Sequence, residues 1–138
     1  MRSVQNSRLS DLLISLTAFV MVMGPTSPAV ASEVSDAMLV EFRRDATRSF
    51  TMEAGEASWY RDAEGRSCTS CHTDSVFVAG RHERTGKVIE PMAPSVNPDR
   101  LTDRKKINKW FLRNCKWTFG RECTAQEKGD ILLWLSQQ

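Results

Sequence analysis

The sequence predicts an all-α domain with a long central loop, folded around a bound cofactor. Three observations predict it. Apolar residues recur at helical spacing in three separate segments. Between two of them lies a stretch of about 25 residues punctuated by Gly and Pro, long enough that it needs something to pack against. The chain has 138 residues and four Cys, and removing an N-terminal leader leaves a domain small enough to benefit from a disulfide or a cofactor.

The leader comes first in the chain. Arg2 and Arg8 form a basic start, and Leu12 to Met23 is an uncharged apolar run. Gly24, Pro25 and Pro28 break any helix, and Ala29-Val30-Ala31 gives the small-x-small pattern cleaved by signal peptidase. A span would need about 20 apolar residues, so no membrane span is expected in the mature form. Residues 1–31 read as a signal peptide and residues 32–138 as one domain, exported to the periplasm. The mature part keeps 17 Lys and Arg against 16 Asp and Glu. That near-balance excludes a nucleic-acid binder relying on overall positive charge, and the retained Trp residues argue against disorder.

Ser35 to Phe50 reads as the first helix, with Met38, Leu39, Phe42 and Ala46 on one side. Residues 51–67 carry a weaker signal, with Gly55 and Gly65 around Trp59 and Tyr60. From Thr73 to Pro98 the glycines and prolines predict loop, with Val76 to Val78 as a short strand. A second helix is expected from Thr102 as N-cap to about Asn114, burying Ile107, Trp110 and Phe111. A third begins at Thr124, which forms a capping box with Glu127, and buries Ile131, Leu132, Trp134 and Leu135.

Cys68-Thr69-Ser70-Cys71-His72 carries the chemistry. C-x-x-C-H is the attachment signature of c-type haem. Two thiols three positions apart can form thioethers with two vinyl groups of one haem, and the adjacent imidazole then lies under the iron. Structural zinc would want four ligands, and a thioredoxin-like pair a βαβ context. A disulfide between Cys68 and Cys71 would be strained. Haem c is the stronger reading. In an exported chain, Cys115 and Cys123 are expected to pair. Closing that loop would stabilise the fold by about 2–3 kcal/mol in the chain-entropy model.

The sixth ligand decides what such a haem does. Met92, between Pro91 and Pro94, is the candidate that the residues favour, against the ordinary fate of a Met as a packing group. His82 lies in a charged, solvated stretch. Asn114 precedes Cys115 and could equally be a helix cap.

The chain from Cys68 onward resembles the SHP-type cytochromes c. The residues that carry the resemblance are Cys68–His72, Arg84-Thr-Gly-Lys87 and Ile89-Glu-Pro-Met-Ala-Pro-Ser-Val-Asn-Pro98. With them go Asp99-Arg100, Thr102-Asp103, Lys109-Trp110, Arg113-Asn-Cys115, Gly120-Arg-Glu-Cys123 and Glu127-Lys128. The resemblance implies a class I cytochrome c fold, with N- and C-terminal helices packed around one covalent haem c. It implies His72 as proximal ligand, Asn114 as distal ligand and a Cys115–Cys123 bridge. A neutral amide should loosen when the iron is reduced, opening the site to O2, NO or CO. Implied partners are a dihaem cytochrome c and a membrane cytochrome b. Met92 stands where the family can carry Leu, so Met92 is the alternative distal ligand. The competing functions are a plain His/Met electron-transfer cytochrome and a haem-based gas sensor, and turnover as an enzyme is left open.

Overall fold

The computed structural model describes residues 32–138, so the signal-peptide reading of residues 1–31 lies outside the described residues. Helix α1 (Glu33–Arg43) starts where the Ser32 hydroxyl accepts the Ser35 N–H, with Glu33 and Asp36 in its first turn and Arg43 in its last. Both charge placements suit the helix dipole. Met38 and Phe42, four apart, bury one side of it.

The expected helix through Phe50 is corrected, because the chain leaves the helix after Arg43. Residues 48–51 are drawn instead onto the buried Asp130 carboxylate. It accepts from the Arg48 guanidinium at 2.8 and 3.3 Å and from the Thr51 N–H at 2.9 Å. Those bonds are available only with the strap out of the helix.

Helix α2 (Met52–Tyr60) then starts on Thr51, whose hydroxyl accepts the Ala54 N–H. The sequence signal here was weak because Gly55 disfavours a helix in isolation. Packing overrides that preference. A Cβ at position 55 would stand 2.2 Å from the Asp130 carbonyl oxygen and 2.5 Å from Trp134 Cβ. Gly55 is what lets α2 approach the last helix so closely.

A single turn, α3 (Thr69–His72), holds the C-x-x-C-H residues. After it, β1 (Gly80–Arg81) pairs antiparallel with β2 (Val88–Ile89), Gly80 opposite Ile89 and Arg81 opposite Val88. The expected strand at Val76 to Val78 is absent; Phe77 and Val78 are exposed in a turn. Val76 spends its carbonyl on the next loop, accepting the N–H groups of Met92 and Ala93 at 2.8 and 3.0 Å.

Helix α4 (Arg104–Phe119) is capped by Asp103, not Thr102, the carboxylate accepting the Lys106 N–H. It continues five residues beyond Asn114 and stops at Gly120, whose φ of 67° is left-handed. Trp110, expected inside, is 44% exposed. Helix α5 (Ala125–Ser136) begins with the Thr124–Glu127 capping box, and Ile131, Leu132, Trp134 and Leu135 are all buried.

Two buried clusters meet along α5. One holds Met38, Phe42, Phe50, Ile107 and Leu132, and the other Trp59, Val76, Ala93, Ile131, Trp134 and Leu135. Leu101 and Phe111 touch both. Fully burying a side chain such as Leu132 is worth about 1.5–3 kcal/mol. The second cluster is the one on which the C-x-x-C-H turn rests, because Cys68 packs against it.

Candidate haem site

The site is built on one helical turn pressed between a helix and a hairpin. Gly80 lies against the turn so closely that a Cβ there would fall 2.1 Å from the Cys71 carbonyl oxygen. On the other side, the Trp59 ring stands 5.2 Å from the His72 ring, and Trp134 stands 5.5 Å from Trp59. His72 is therefore held by aromatic packing from α2 and α5.

That burial has an electrostatic result. Desolvation, with help from the Arg100 charge, lowers the His72 pKa to about 4. At neutral pH the imidazole is unprotonated, the form that a metal requires. Burial also pushes the Cys68 thiol up to about 11. A thiol so hard to ionise is a poor redox nucleophile, which weighs against thioredoxin-like exchange. Cys68 and Cys71 are both free thiols in the structure.

Residues 90–100 form the adjoining loop, and it is latched from within. Arg100 Nε donates to the Pro91 carbonyl at 2.7 Å and Asn97 Nδ2 to the same oxygen at 3.0 Å. Together with the two bonds to Val76, these fix the backbone on both sides of Met92. The Met92 side chain packs against the cluster of Trp59, Val76 and Ala93.

Asn114 has other surroundings. It is exposed, on α4, directly before the buried Cys115. Cys115 and Cys123 are joined by a disulfide with their Cα atoms 5.5 Å apart. The bridge ties the last turns of α4 to the start of α5, so the helix that carries Asn114 is anchored to the element that supports His72. Asn114 is not a helix cap; Gly120 takes that role. His82 is half-buried in the hairpin, where its Nδ1 accepts the N–H groups of Arg84 and Thr85 at 3.3 Å. It serves the turn there.

A haem fits these residues on three grounds. The donor set is two free thiols and a neutral imidazole on one turn, while no group of three His, Cys, Asp or Glu among the described residues could hold a metal ion. Iron would need to be brought within a larger group. The Trp59 indole N–H, beside His72, is the single buried side-chain polar atom among the described residues without a hydrogen-bond partner. Finally, Phe77, Val78 and Val88 are exposed around the turn and hairpin, apolar surface of the kind that a large flat group covers. The sequence offers Trp59 only as an apolar group in a weak segment, and the structure places it against His72.

Comparison with known proteins agrees with this chemistry. A family model described as "Domain of unknown function (DUF1924)" matches residues 45–135. The chain is 42% identical over 117 residues to the cytochrome c-type protein SHP of Cereibacter sphaeroides, spanning 80% of this chain and 90% of that protein. Oxidized SHP, described as an oxygen-binding cytochrome c, superposes with a TM-score of 0.68 at 39% identity, covering 83% of this chain and all of that one. The solution structure of cytochrome c'' from Methylophilus methylotrophus, described in connection with haem-ligand detachment, gives 0.65 at 25% identity, covering 75% of this chain and 93% of that one.

Proposed function

This chain belongs to the SHP-type cytochromes c, with the class I cytochrome c fold and a covalent haem c, and on that premise we propose that it is a periplasmic monohaem protein with a redox-dependent sixth ligand. It accepts electrons and binds O2 or another small ligand at the ferrous haem. Residues 1–31 serve as its signal peptide and 32–138 as the mature domain. No helix among the described residues is long and apolar enough to cross a membrane. A dihaem cytochrome c and a membrane cytochrome b are the donors in keeping with this reading.

A haem, when bound, would supply the redox couple. Cys68 and Cys71 hold it covalently, and His72 offers a neutral imidazole on the proximal side. Asn114 offers an amide on the distal side. An amide is uncharged and a weak donor, so its hold on the iron depends on the metal's positive charge and weakens when one electron arrives. Asn114 is thus the residue whose release would open the haem to a small ligand.

The observation that carries this reading is the contrast between the two candidate distal residues. Met92 is a packing group on the same cluster as Cys68 and Trp59, with its backbone pinned to Val76. Asn114 is exposed on a helix anchored by the adjacent disulfide. The relatives supply the activity by likeness: SHP is described as oxygen-binding, and cytochrome c'' in connection with ligand detachment.

Optical spectra test it. The ferric protein should lack the far-red sulfur-to-iron band, and the ferrous protein should be high-spin and take up CO. Asn114→Ala should move the ferric spectrum toward high spin, while Met92→Leu leaves it nearly unchanged. A low-spin ferrous form inert to CO, or a larger effect from Met92→Leu, would return the protein to the plain electron-transfer class.

A further inference from the structure

Helix α4 divides the molecule's charge. It carries Arg104, Lys105, Lys106, Lys109, Arg113 and Lys116 and no acidic residue. The described chain has 17 cationic and 16 acidic side chains, so α4 holds six of the first and none of the second. Everything outside it is left with 11 against 16. A protein nearly neutral overall therefore carries a concentration of positive charge along one helix.

The cations are not spread evenly round that helix. At about 100° per residue, Lys105, Lys109, Arg113 and Lys116 fall within one solvent-facing sector of about 80°. Three of the six are drawn on by nearby carboxylates: Arg104 by Glu41, Lys106 by Asp103 at 3.8 Å and Lys116 by Glu122 at 3.2 Å. The central pair, Lys109 and Arg113, instead flank the Trp110 ring, at 5.2 and 5.4 Å from its centre. Trp110 is 44% exposed. An exposed Trp between cations is the composition of an interface anchor.

Asn114 lies one turn after Trp110, at the edge of this face. It is about 140° round from Lys109, at the border of the side that buries Ile107 and Thr118. One helix thus carries a basic ridge and, at the ridge's flank, the exposed Asn114.

We propose that the outer face of α4, centred on Lys109, Trp110 and Arg113, is the docking surface for an acidic redox protein that delivers electrons to the haem. This deepens the reading given under Proposed function and rests on it for the direction of electron flow. The donor loses one electron and the ferric haem gains it; no proton or group is transferred. A protein is favoured over an anionic bilayer because the remainder of the molecule is acidic, so only a partner as narrow as the ridge meets attraction without repulsion. Complementary charge also suits a short-lived electron-transfer complex, which needs fast encounter more than tight binding.

Flavodoxin, an acidic one-electron donor, is the probe. Its reduced form should reduce the ferric holoprotein at a rate that falls as salt is raised. Lys109→Glu with Arg113→Glu should slow that reaction about tenfold or more at low salt. The same variant should leave the haem spectrum and the rate with dithionite within twofold of the parent. Titration with oxidised flavodoxin should show the same loss of binding with no electron moved. Arg81→Glu with Lys87→Glu, which reverses charge on the hairpin, should change the rate less than twofold. An equal loss from the hairpin variant, or no loss from the α4 variant, overturns the assignment. Sedimentation with anionic phospholipid vesicles that depends on Lys109 and Arg113, while flavodoxin reduction does not, overturns it in favour of a membrane. These readouts do not depend on which residue is the sixth ligand, so they fail or succeed separately from the spectra.

Discussion

Gly55 has no side chain to contribute, yet it controls how closely α2 and α5 approach. Substituting Ala there puts a methyl group 2.2 Å from a backbone oxygen and 2.5 Å from Trp134 Cβ, neither of which can rotate away. Overpacking of this kind costs about 1–3 kcal/mol and occasionally more. Gly55→Ala should lower the denaturation midpoint accordingly, and because Trp59 sits one turn later against His72, it should also perturb the Soret spectrum. Unchanged stability in chemical denaturation would mean that the two helices are free to separate. The same residue explains why α2 was faint in the sequence. A glycine counts against a helix locally, and only the neighbouring helix shows why it is there. His72 was the opposite case, since its role is written in five adjacent residues.

Among the elements, α5 is the most heavily secured at its start. Thr124 and Glu127 cap it reciprocally, and Glu127 also receives Arg121 at 2.7 Å and Arg61 at 3.0 Å. The Arg121 hydrogen bond, followed by the Thr124 N–H and Arg61, lowers the Glu127 pKa from 4.5 to about 2 against the opposing effect of burial. A carboxylate whose pKa is depressed on folding binds fewer protons folded than unfolded. Its stabilisation is present above about pH 4.5 and lost as pH falls toward 2. Glu127→Gln should therefore be less stable than the parent at pH 6, with the difference shrinking steadily in thermal melts taken down to pH 2. A constant difference across that range would show that the charge contributes nothing. The capping box was legible in the sequence because it spans four residues. The two arginines were not, because Arg61 arrives from the far end of α2.

At the scale of the whole molecule, the Cys115–Cys123 bond joins the helix carrying Asn114 to the helix supporting His72. Replacing both cysteines by Ser should cost about 2–3 kcal/mol by the loop-entropy argument. If the bond also holds α4 in place for the distal ligand, the ferric spectrum of the variant should shift toward high spin even where the protein remains folded. A stability loss with an unchanged spectrum would assign the bridge to folding alone. The sequence by itself determined the haem chemistry, the all-α class, the start of α5 and the family, since each is carried by residues near one another in the chain or by a run of matching positions. The tertiary structure alone decided where α1 ends, that the segment around Gly55 is a helix, and that the Met92 side chain packs on the cluster beside the motif. Those outcomes depend on partners 16 or more positions away, such as Asp130 for the Arg48–Thr51 strap, Trp134 for Gly55 and Val76 for Met92, and spacing along the chain does not record them.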